Sequence, residues 1–584
     1  MNKEKVLSGY ASIDLPWCDY LSEEAKNVKL SNKTLYEVFK ESEALYSDGR
    51  VMLDYYGAKF NYRYIRDKVD RVADALLNIG VKKGDYVSLC IFIAPEVIYL
   101  VYAINKIGAI VNFINPFELD EVVPANVTKV NSNFLFTFDM FANKFKDISS
   151  DKMPKYIISM SALDSMIPIS KFISRFYGLV RHKVPKELNA ISWKEFMKYG
   201  DTHANITFDV KGDDPAIVFP TSGTSGHSKG ALVSSKAINN CLEQYSAQNS
   251  RIGKYDSCLC AVPMYHAFAI TTGLHEAVRH GMKLVMRMPG NNLLVDAFKH
   301  DHVNHVAFMP QIWQTFVDQD KKIDMSCVID PITGSDVLTV ELENKINDYF
   351  RRNNSDEVIL NGFGLTEVCA AACVNTKEHH KSGSVGLPFV KTIIAAFDPD
   401  TGKEKKYNEI GELCISSPSI MIEYVGLPEK TKEVLRVHDD EKLWFHSGDL
   451  GYVDEEGFVF YKSRKSRSFY YQFPGSTRGV NFKIDYSDIE DAFKYDKYVE
   501  RCVAVPRPDK ECFNVPVLLV ELKKEFKAID DKAKLGIIEE FKQHADEKLL
   551  KHLRPVDYKI IDTIPLTLFG KIDYQKVDAM ESNE

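Results

Sequence analysis

FPTSGTSGHSKGALVSS, residues 219–235, gathers small hydroxyl side chains and three glycines around one lysine, Lys229. Such a loop offers backbone amides and a cation to a polyphosphate. It is not a Walker A loop, which needs a glycine, four residues and then Gly-Lys-Ser/Thr. Here Ser228 precedes the lysine and Gly230 follows it, and the stretch carries no GxGxxG pattern. The flanks define what the loop joins. A β-rich run (216–219) leads in, a short apolar run (Ala231, Leu232, Val233) leads out, and Ser234 or Ser235 stands as the N-cap of a helix from Lys236 to Gln244. Strand, loop, strand is a different order from the strand, loop, helix of a P-loop or dinucleotide site.

The chain that surrounds this loop has 584 residues, too many for one core, so two or three domains are expected. Hydrophobic and charged fractions of 45% and 27% are those of an ordinary globular protein. A formal net charge of −8, with the acidic residues spread along the chain, argues against a nucleic-acid partner. The eleven cysteines lie far apart, and the opening MNKEKVLSGYASIDLPW has no continuous apolar run, so free thiols in a reducing cytoplasm are expected. The close pairs Cys258/Cys260 and Cys369/Cys373 lack a second pair at metal-ligand distance and read as core or pocket residues. The most apolar stretch, residues 87–114, carries Pro95, Glu96, Asn105 and Lys106 in its middle. It reads as strand, helix, strand and not as a membrane span.

From about residue 84 to 390, apolar strand-like runs alternate with amphipathic stretches, which predicts an α/β fold with parallel sheets covered by helices. KLVMRM (283–288), VNHVAFMP (303–310), VIDPITGSD (328–336) and EVILNGFGLTE (357–367) each look like a strand ending in a turn, where ligand-binding loops of such folds lie. After about residue 392 the texture changes. IIAAFDPDTG, GELCISS and LGYVDEEGFVFYKSR predict antiparallel strands joined by Asp/Gly turns, a small β-rich subdomain. SRKSRSFYYQFPGSTRG (463–479) reads as a junction, and beyond it lies a compact α+β tail. The segment 165–186, with Lys171, Arg175 and Arg181 among Ile, Phe and Leu, fits either an interfacial helix or a packed surface helix, so membrane contact is at most peripheral.

The loop acquires meaning from its company. PTSGTSGHSKG resembles the signature loop of the adenylate-forming superfamily, which holds acyl-CoA synthetases, peptide-synthetase adenylation domains and luciferases, although Ser228 stands where that loop has proline. Four further stretches resemble the superfamily's motifs in the same order. AVPMYHAFAI keeps Pro263 and His266 of a Pro-x-x-His element. NGFGLTE keeps Gly364, Thr366 and Glu367 of Tyr-Gly-x-Thr-Glu, with Phe363 for the tyrosine. HSGDLGYVDEEGFVFYKSR keeps Asp449 and Arg464, and IPLTLFGKID ends on Lys571. GSVGLPF, GELCISS and YVGLPEKTKEVL fit between them.

The resemblance implies a large N-terminal adenylation domain (1–465), made of two parallel-type αβα subdomains and the small β-rich one. A small mobile α+β C-terminal domain (467–584) would follow, hinged near Ser466. It implies ATP, Mg2+ and coenzyme A as cofactors and a small carboxylic acid as substrate. Thr221, Ser222, Gly223, Thr224, Ser225, Gly226 and Lys229 would face the β- and γ-phosphates. Gly334, Ser335, Asn361, Gly362 and Phe363 would line the nucleotide. Thr366 would contact the α-phosphate, Glu367 would ligate Mg2+, Asp449 would accept from the ribose hydroxyls, and Arg464 would steady them. Lys571 would bridge the carboxylate and the α-phosphate. Singly, each has a plainer explanation: Glu367 as a carboxylate at a helix N-terminus, Asp449 as a turn residue. His266 either gates the acyl pocket or packs as a core histidine.

The acyl pocket is expected from Tyr265, Phe268, Ile270, Val368, Cys369 and Ala370, mostly apolar. Amino-acid-activating members place an aspartate just after the Pro-x-x-His region, and MYHAFAITTGL has none, so an aliphatic or aryl acid is favoured. IDLPWCDYLSEEA near the N-terminus resembles the opening segment of fatty-acid CoA ligases. The stretch after the hinge is longer than usual, with Tyr486 and Asp488 replacing the usual proline and glutamate while Ile489 and Glu490 remain. That departure leaves the thiol open between coenzyme A and a carrier-protein phosphopantetheine. A regulator that binds nucleotide or acyl groups without turnover is the reading from another class.

Overall fold

The computed structural model describes residues 7–46, 48–118, 122–168, 180–200, 208–221, 229–249, 251–253, 256–288, 291–464, 468–472, 481–494, 496–509, 512–549, 551–566, 572–574, 576–577 and 580. Its large body is built on two mainly parallel sheets. The eight-stranded one runs in the order Glu423–Tyr424, Lys229–Ser234, Pro215–Thr221, Ile110–Phe113, Tyr86–Cys90, Phe134–Phe138, Tyr156–Met160 and Ile191–Ser192. The nine-stranded one runs Leu387–Pro388, Cys373–Val374, Leu360–Phe363, Ile332–Thr333, His305–Phe308, Ser257–Cys260, Lys283–Met286, Val51–Tyr55 and Ala58–Asn61. All four strand-and-turn segments expected from sequence between 283 and 367 therefore lie in this one sheet.

The opening loop joins two antiparallel neighbours, Pro215–Thr221 and Lys229–Ser234. Ser234 then accepts a hydrogen bond from the Ala237 amide and caps helix Ser235–Gln248. The apolar stretch 87–114 forms strand Tyr86–Cys90, helix Pro95–Lys106 and strand Ile110–Phe113. Pro95 occupies the first helical turn, where its missing N–H costs nothing. Nearly every residue of that helix is buried, which explains a sequence as apolar as a membrane span. No helix among the described residues is long and apolar enough to cross a membrane.

Strands Ile393–Phe397, Gly411–Ser416, Leu443–Val453, Leu435–Val437 and Val459–Arg464 form the expected antiparallel subdomain. One continuous hydrophobic core includes Val87 and Phe136 of the first sheet, Leu53 and Leu284 of the second, and Leu413 and Trp444 of the third. A second core, on the nine-stranded sheet, gathers Trp313 with Phe308, Phe316 and Phe350. The C-terminal region has its own three-stranded sheet, Val499–Asp509, Phe513–Leu522 and Asp557–Ile561, with separate cores that contain Phe493 and Phe541 in one and Val503 and Val517 in the other.

The junction differs from its expected character. Ser468–Gln472 pairs antiparallel with Asn481–Asp485, and Phe469 meets Ile484 in register, both buried. Apolar residues at every second position make a strand face even in so polar a stretch. Residues 169–179, the body of the amphipathic segment, lie outside the described residues. Every cysteine is a free thiol, and the two close pairs are buried, as expected.

Trp313 is fully buried, and its indole N–H donates to the Ile332 carbonyl, so it supports the strand Ile332–Thr333 that leads into Gly334. Trp313→Ala should cost about 3–5 kcal/mol. Urea unfolding of parent and variant measures it, and a loss under about 1 kcal/mol would show that this core does not hold the sheet.

Candidate active site

Thr221 and Lys229 face each other in register at the ends of their strands, so residues 222–228 must leave and return at one point. Ser222, Gly223, Thr224, Ser225 and Gly226 lie outside the described residues. Lys229 carries its ammonium 5.0 Å from the centre of the Tyr424 ring, a cation–π distance. Tyr424 is held there by the short strand Glu423–Tyr424, paired with Leu232 and Ala231. Its hydroxyl donates to Glu367 Oε1 at 2.5 Å. The Met421 amide donates to the Glu367 carbonyl at 2.7 Å. Burial, and then the Glu367 charge, push the Tyr424 phenol well above its ordinary range, so it remains a hydrogen-bond donor.

Glu367 reaches this point through a tight turn after strand Leu360–Phe363. A β-carbon on Gly364 would lie 2.1 Å from the Ala370 carbonyl oxygen, so no larger residue fits. Cys369 and Ala370 both adopt positive φ, 58° and 107°. Two successive non-glycine residues in that region store strain of order 1–3 kcal/mol each, a feature that collects at functional sites. On the neighbouring parallel strand, Thr333 pairs in register with Asn361. Both are buried, and Thr333 Oγ1 and Asn361 Oδ1 have no hydrogen-bond partner among the described residues. Buried polar atoms at paired positions without partners are the exception in folded proteins and call for one. Gly334 and Ser335 follow directly, at the carboxyl end of the strand.

Asp449 and Arg464 stand opposite each other on strands Leu443–Val453 and Val459–Arg464. Arg464 Nε lies 3.0 Å from Asp449 Oδ1, and its Nη1 donates to the Ser447 carbonyl at 3.0 Å. Asp449 is buried, whereas Arg464 is half-exposed. The Arg464 charge partly offsets the upward push on the Tyr424 phenol. Tyr461, pushed up by burial and by the Asp449 charge, adds a hydroxyl to this corner. Phe363 lies 6.3 Å from the Tyr461 ring.

The model of the AMP-binding enzyme family matches residues 39–425, and that of the AMP-binding enzyme C-terminal domain matches residues 488–571. The chain belongs to the AMP-binding enzyme family. It is thus an adenylate-forming enzyme, as the ordered motifs imply. A long-chain-fatty-acid–CoA ligase of Bacillus subtilis (strain 168) is 25% identical over 570 residues, 95% of this chain and 96% of that ligase. A 4-coumarate–CoA ligase of Arabidopsis thaliana is 24% identical, over 77% of this chain and 75% of its own length. Both relatives are acid–thiol ligases. The same fold is found in an anthranilate CoA ligase solved with anthranoyl-AMP, with a TM-score of 0.76 at 18% identity over 95% of this chain and 98% of that one.

Of the residues expected to line an acyl pocket in this AMP-binding enzyme, Tyr265, Ile270, Val368 and Cys369 are buried, and Phe268 and Ala370 are half-buried. His266 is half-buried too, its ring 4.6 Å from that of Tyr265. Its carbonyl accepts from the Ala269 and Ile270 amides at the start of a π-helix, Ala269–His275. Such wide turns recur at functional sites. His275 closes the π-helix, buried between Tyr102 Oη at 2.9 Å and Asn239 Oδ1 at 2.7 Å. The arrangement that satisfies all three has Nε2–H donating to Asn239 and Nδ1 accepting from Tyr102.

Lys571 and Ser466 lie outside the described residues, although Leu566 and Ile572 on either side of the lysine form an antiparallel bridge. Tyr424 and Tyr461 are site residues that sequence reading passes over. The signal for the first was present in YVGLPEKTKEVL, which fits the family without naming a functional side chain.

Burial, and secondarily the Arg279 charge, push His275 down to about 3, so it is neutral at physiological pH. Between that value and the unfolded value of about 6.5, the unfolded chain binds one more proton than the native one. Its stabilisation is therefore complete above about pH 6.5 and falls by ~1.4 kcal/mol per unit as the pH drops. Between about pH 7.5 and pH 5, unfolding free energies from urea melts should fall by ~2 kcal/mol more in the parent than in His275→Gln, because the other titrating groups contribute equally in both chains. Equal losses in both chains would mean that His275 is charged in the fold.

Proposed function

We propose that this enzyme activates an aliphatic (fatty) or aryl carboxylic acid with ATP and transfers the acyl group to the thiol of coenzyme A. The observation that carries the proposal is the cluster of Lys229, Tyr424 and Glu367 in an AMP-binding enzyme whose antiparallel subdomain holds the buried Asp449 against Arg464. A substrate carboxylate oxygen attacks the α-phosphorus of ATP. The bond to the β-phosphate bridging oxygen breaks, pyrophosphate leaves, and an acyl-adenylate remains. The thiol, losing its proton, then attacks the acyl carbon and AMP departs.

Negative charge collects around phosphorus in the first step, so fixed donors and cations lower the barrier most. In this reading Thr221, the 222–226 loop and Lys229 hold the β- and γ-phosphates. Thr366 donates to the α-phosphate, and Lys571 bridges the attacking carboxylate and the α-phosphate. Glu367 supplies an anionic oxygen ligand of the kind Mg2+ takes, and Tyr424, by fixing one of its oxygens, sets the direction of the other. Bound Mg2+ would neutralise phosphate charge. Asp449 accepts from the ribose hydroxyls. The unpartnered Thr333 and Asn361 atoms, beside Gly334, Ser335, Gly362 and Phe363, suit a polar heterocycle. The apolar wall of Tyr265, Phe268, Ile270, Val368, Cys369 and Ala370 fits a hydrocarbon or ring, with His266 at its edge. We further assign residues 1–465 to the adenylation domain, 467–584 to a mobile lid and Ser466 to the hinge, in a cytoplasmic setting that eleven free thiols favour.

Two relatives support the acid class by their names, one a long-chain-fatty-acid and one a 4-coumarate ligase. Structures of one relative fold solved with ATP and a magnesium ion support the nucleotide and metal. The hairpin Ser468–Gln472/Asn481–Asp485 occupies the stretch that departs from the family pattern, and it keeps a carrier-protein phosphopantetheine as the alternative thiol.

Pyrophosphate release from MgATP, measured with pooled fatty, aryl and amino acids and with or without coenzyme A, tests the proposal. Turnover that requires coenzyme A with a fatty or aryl pool is expected. A single burst without coenzyme A would point to the carrier protein, and silence in every pool with ATP bound would leave a regulator. Lys571→Ala should abolish adenylation while ATP affinity stays within about threefold, since its contact exists only in the reacting geometry. Asp449→Ala should instead weaken ATP binding about tenfold or more. Unchanged affinity there would remove Asp449 from the site.

A further inference from the structure

Asp449 does not stand on a regular strand. Cys414 pairs with His446 and Glu412 with Leu450, so the single residue Leu413 faces the three residues Ser447, Gly448 and Asp449. The strand bulges at this point, and bulges beside active sites re-aim side chains. A bulge also takes backbone groups out of the ladder, and these need other partners when buried. Ser447 Oγ donates to the Leu413 carbonyl at 2.6 Å and accepts from the Asp449 amide at 3.0 Å. Gly448, at φ 71°, donates its amide to Glu412 Oε1 at 3.1 Å. The carboxylate thus takes the place of a missing ladder carbonyl.

Glu412 is itself fixed. Its Oε2 lies 3.3 Å from His446 Nδ1, and His446 Nε2 lies 3.0 Å from His438 Nε2. His438 stacks on Trp444 with ring centres 5.5 Å apart. Glu412, Cys414 and His446 are all buried, with ligand-type atoms within 4.8 Å of one another. That grouping does not make a metal centre. Cys414 Sγ and Glu412 Oε2 both already approach His446 Nδ1, and no fourth ligating side chain joins them among the described residues.

We infer that Glu412 is a positioning residue for nucleotide recognition: through the Gly448 amide it holds the bulge that presents Asp449. The inference rests on the reading of Asp449 as the ribose acceptor. Glu412 touches no substrate and acts through the backbone. The Arg464 bond to the Ser447 carbonyl clamps the same bulge from the other strand, so the two residues that precede Asp449, Ser447 and Gly448, are both tied down.

Dissociation constants of MgATP and of its 2′,3′-dideoxy analogue, measured by calorimetry on the full chain, give a ratio that reads the ribose contacts alone. The parent should favour ATP at least about tenfold. Asp449→Ala should bring the ratio near one, and Glu412→Ala should reduce it at least about threefold with little change in affinity for the analogue. Glu412→Gln keeps an acceptor at the same reach and should retain most of the ratio. Glu412→Asp keeps the charge but withdraws the oxygen from the Gly448 amide, and should lose it. Should Glu412→Ala fail to fold, the Gln and Asp variants carry the test alone. A parent-like ratio in Glu412→Asp, alongside its loss in Asp449→Ala, overturns the positioning role and leaves the ribose reading standing. A parent-like ratio in Asp449→Ala overturns the ribose reading itself.

Discussion

The hydrogen bond from Tyr424 to Glu367 joins the two large sheets at the site. Glu367 follows a strand of the nine-stranded sheet, and Tyr424 belongs to the edge strand of the eight-stranded one. Over the face of the same ring lies the Lys229 ammonium. The ring thus serves a cation by its face and an anion by its hydroxyl. Burial makes the geometry consequential. A buried carboxylate oxygen without a donor costs on the order of 1–3 kcal/mol or more, so any relative slip of the two sheets here is opposed. The distance between Lys229 and Glu367 is consequently a property of the whole fold.

The small antiparallel subdomain contributes the other charged pair by a different device. The two parallel sheets present loops at strand ends, the usual location for ligand sites in α/β folds. Asp449 instead sits within a strand, on a bulge, opposite Arg464. A regular strand would point Asp449 by its pleat alone. The bulge frees it from that alternation, at the cost of amides that Ser447 and Glu412 then satisfy. The guanidinium offsets the Asp449 charge before any ligand arrives, which lowers the penalty of holding a carboxylate that is 2% exposed. Hydroxyl groups of a sugar would share with Arg464 an acceptor already oriented.

Much of this was legible in the sequence because motifs are local. Ser234 announces its helix through capping chemistry, and the Asp/Gly turns of 393–464 announce antiparallel strands. The four strand-and-turn segments between 283 and 367 name the site's sheet, since a parallel strand followed by a glycine turn has one recurrent use. The interactions that span elements were not legible. Tyr424 lies 57 residues from Glu367, and the link exists only once Glu423–Tyr424 pairs with the loop's second strand. His275 was hidden for a related reason. Its partners, Tyr102 and Asn239, come from two other helices, and nothing in AITTGLH marks a π-helix. The hairpin in the junction was masked by its charge, because alternation was outweighed by Pro474, Gly475 and the arginines that surround it.

The turn that carries Thr366 and Glu367 combines two opposed demands. Gly364 must pass within contact of Ala370 and Ala371, which a glycine allows. Cys369 and Ala370 nevertheless adopt backbone angles that glycine would meet with less strain, and they are not glycines. A side chain is therefore retained where its absence would relax the loop. The buried Cys369 belongs to the core that includes Tyr265 and Val368, and Ala370 packs against that core. A glycine at either position would ease the backbone and at the same time enlarge the space against which an acyl group packs, while also giving the turn freedom to move Glu367. Strain of a few kcal/mol is small beside the stabilisation available from a core of this size, so the fold can hold it. The same five residues, 366–370, carry the buried Glu367 carboxylate near one end and the buried apolar Val368 and Cys369 toward the other, so the strained turn fixes both together.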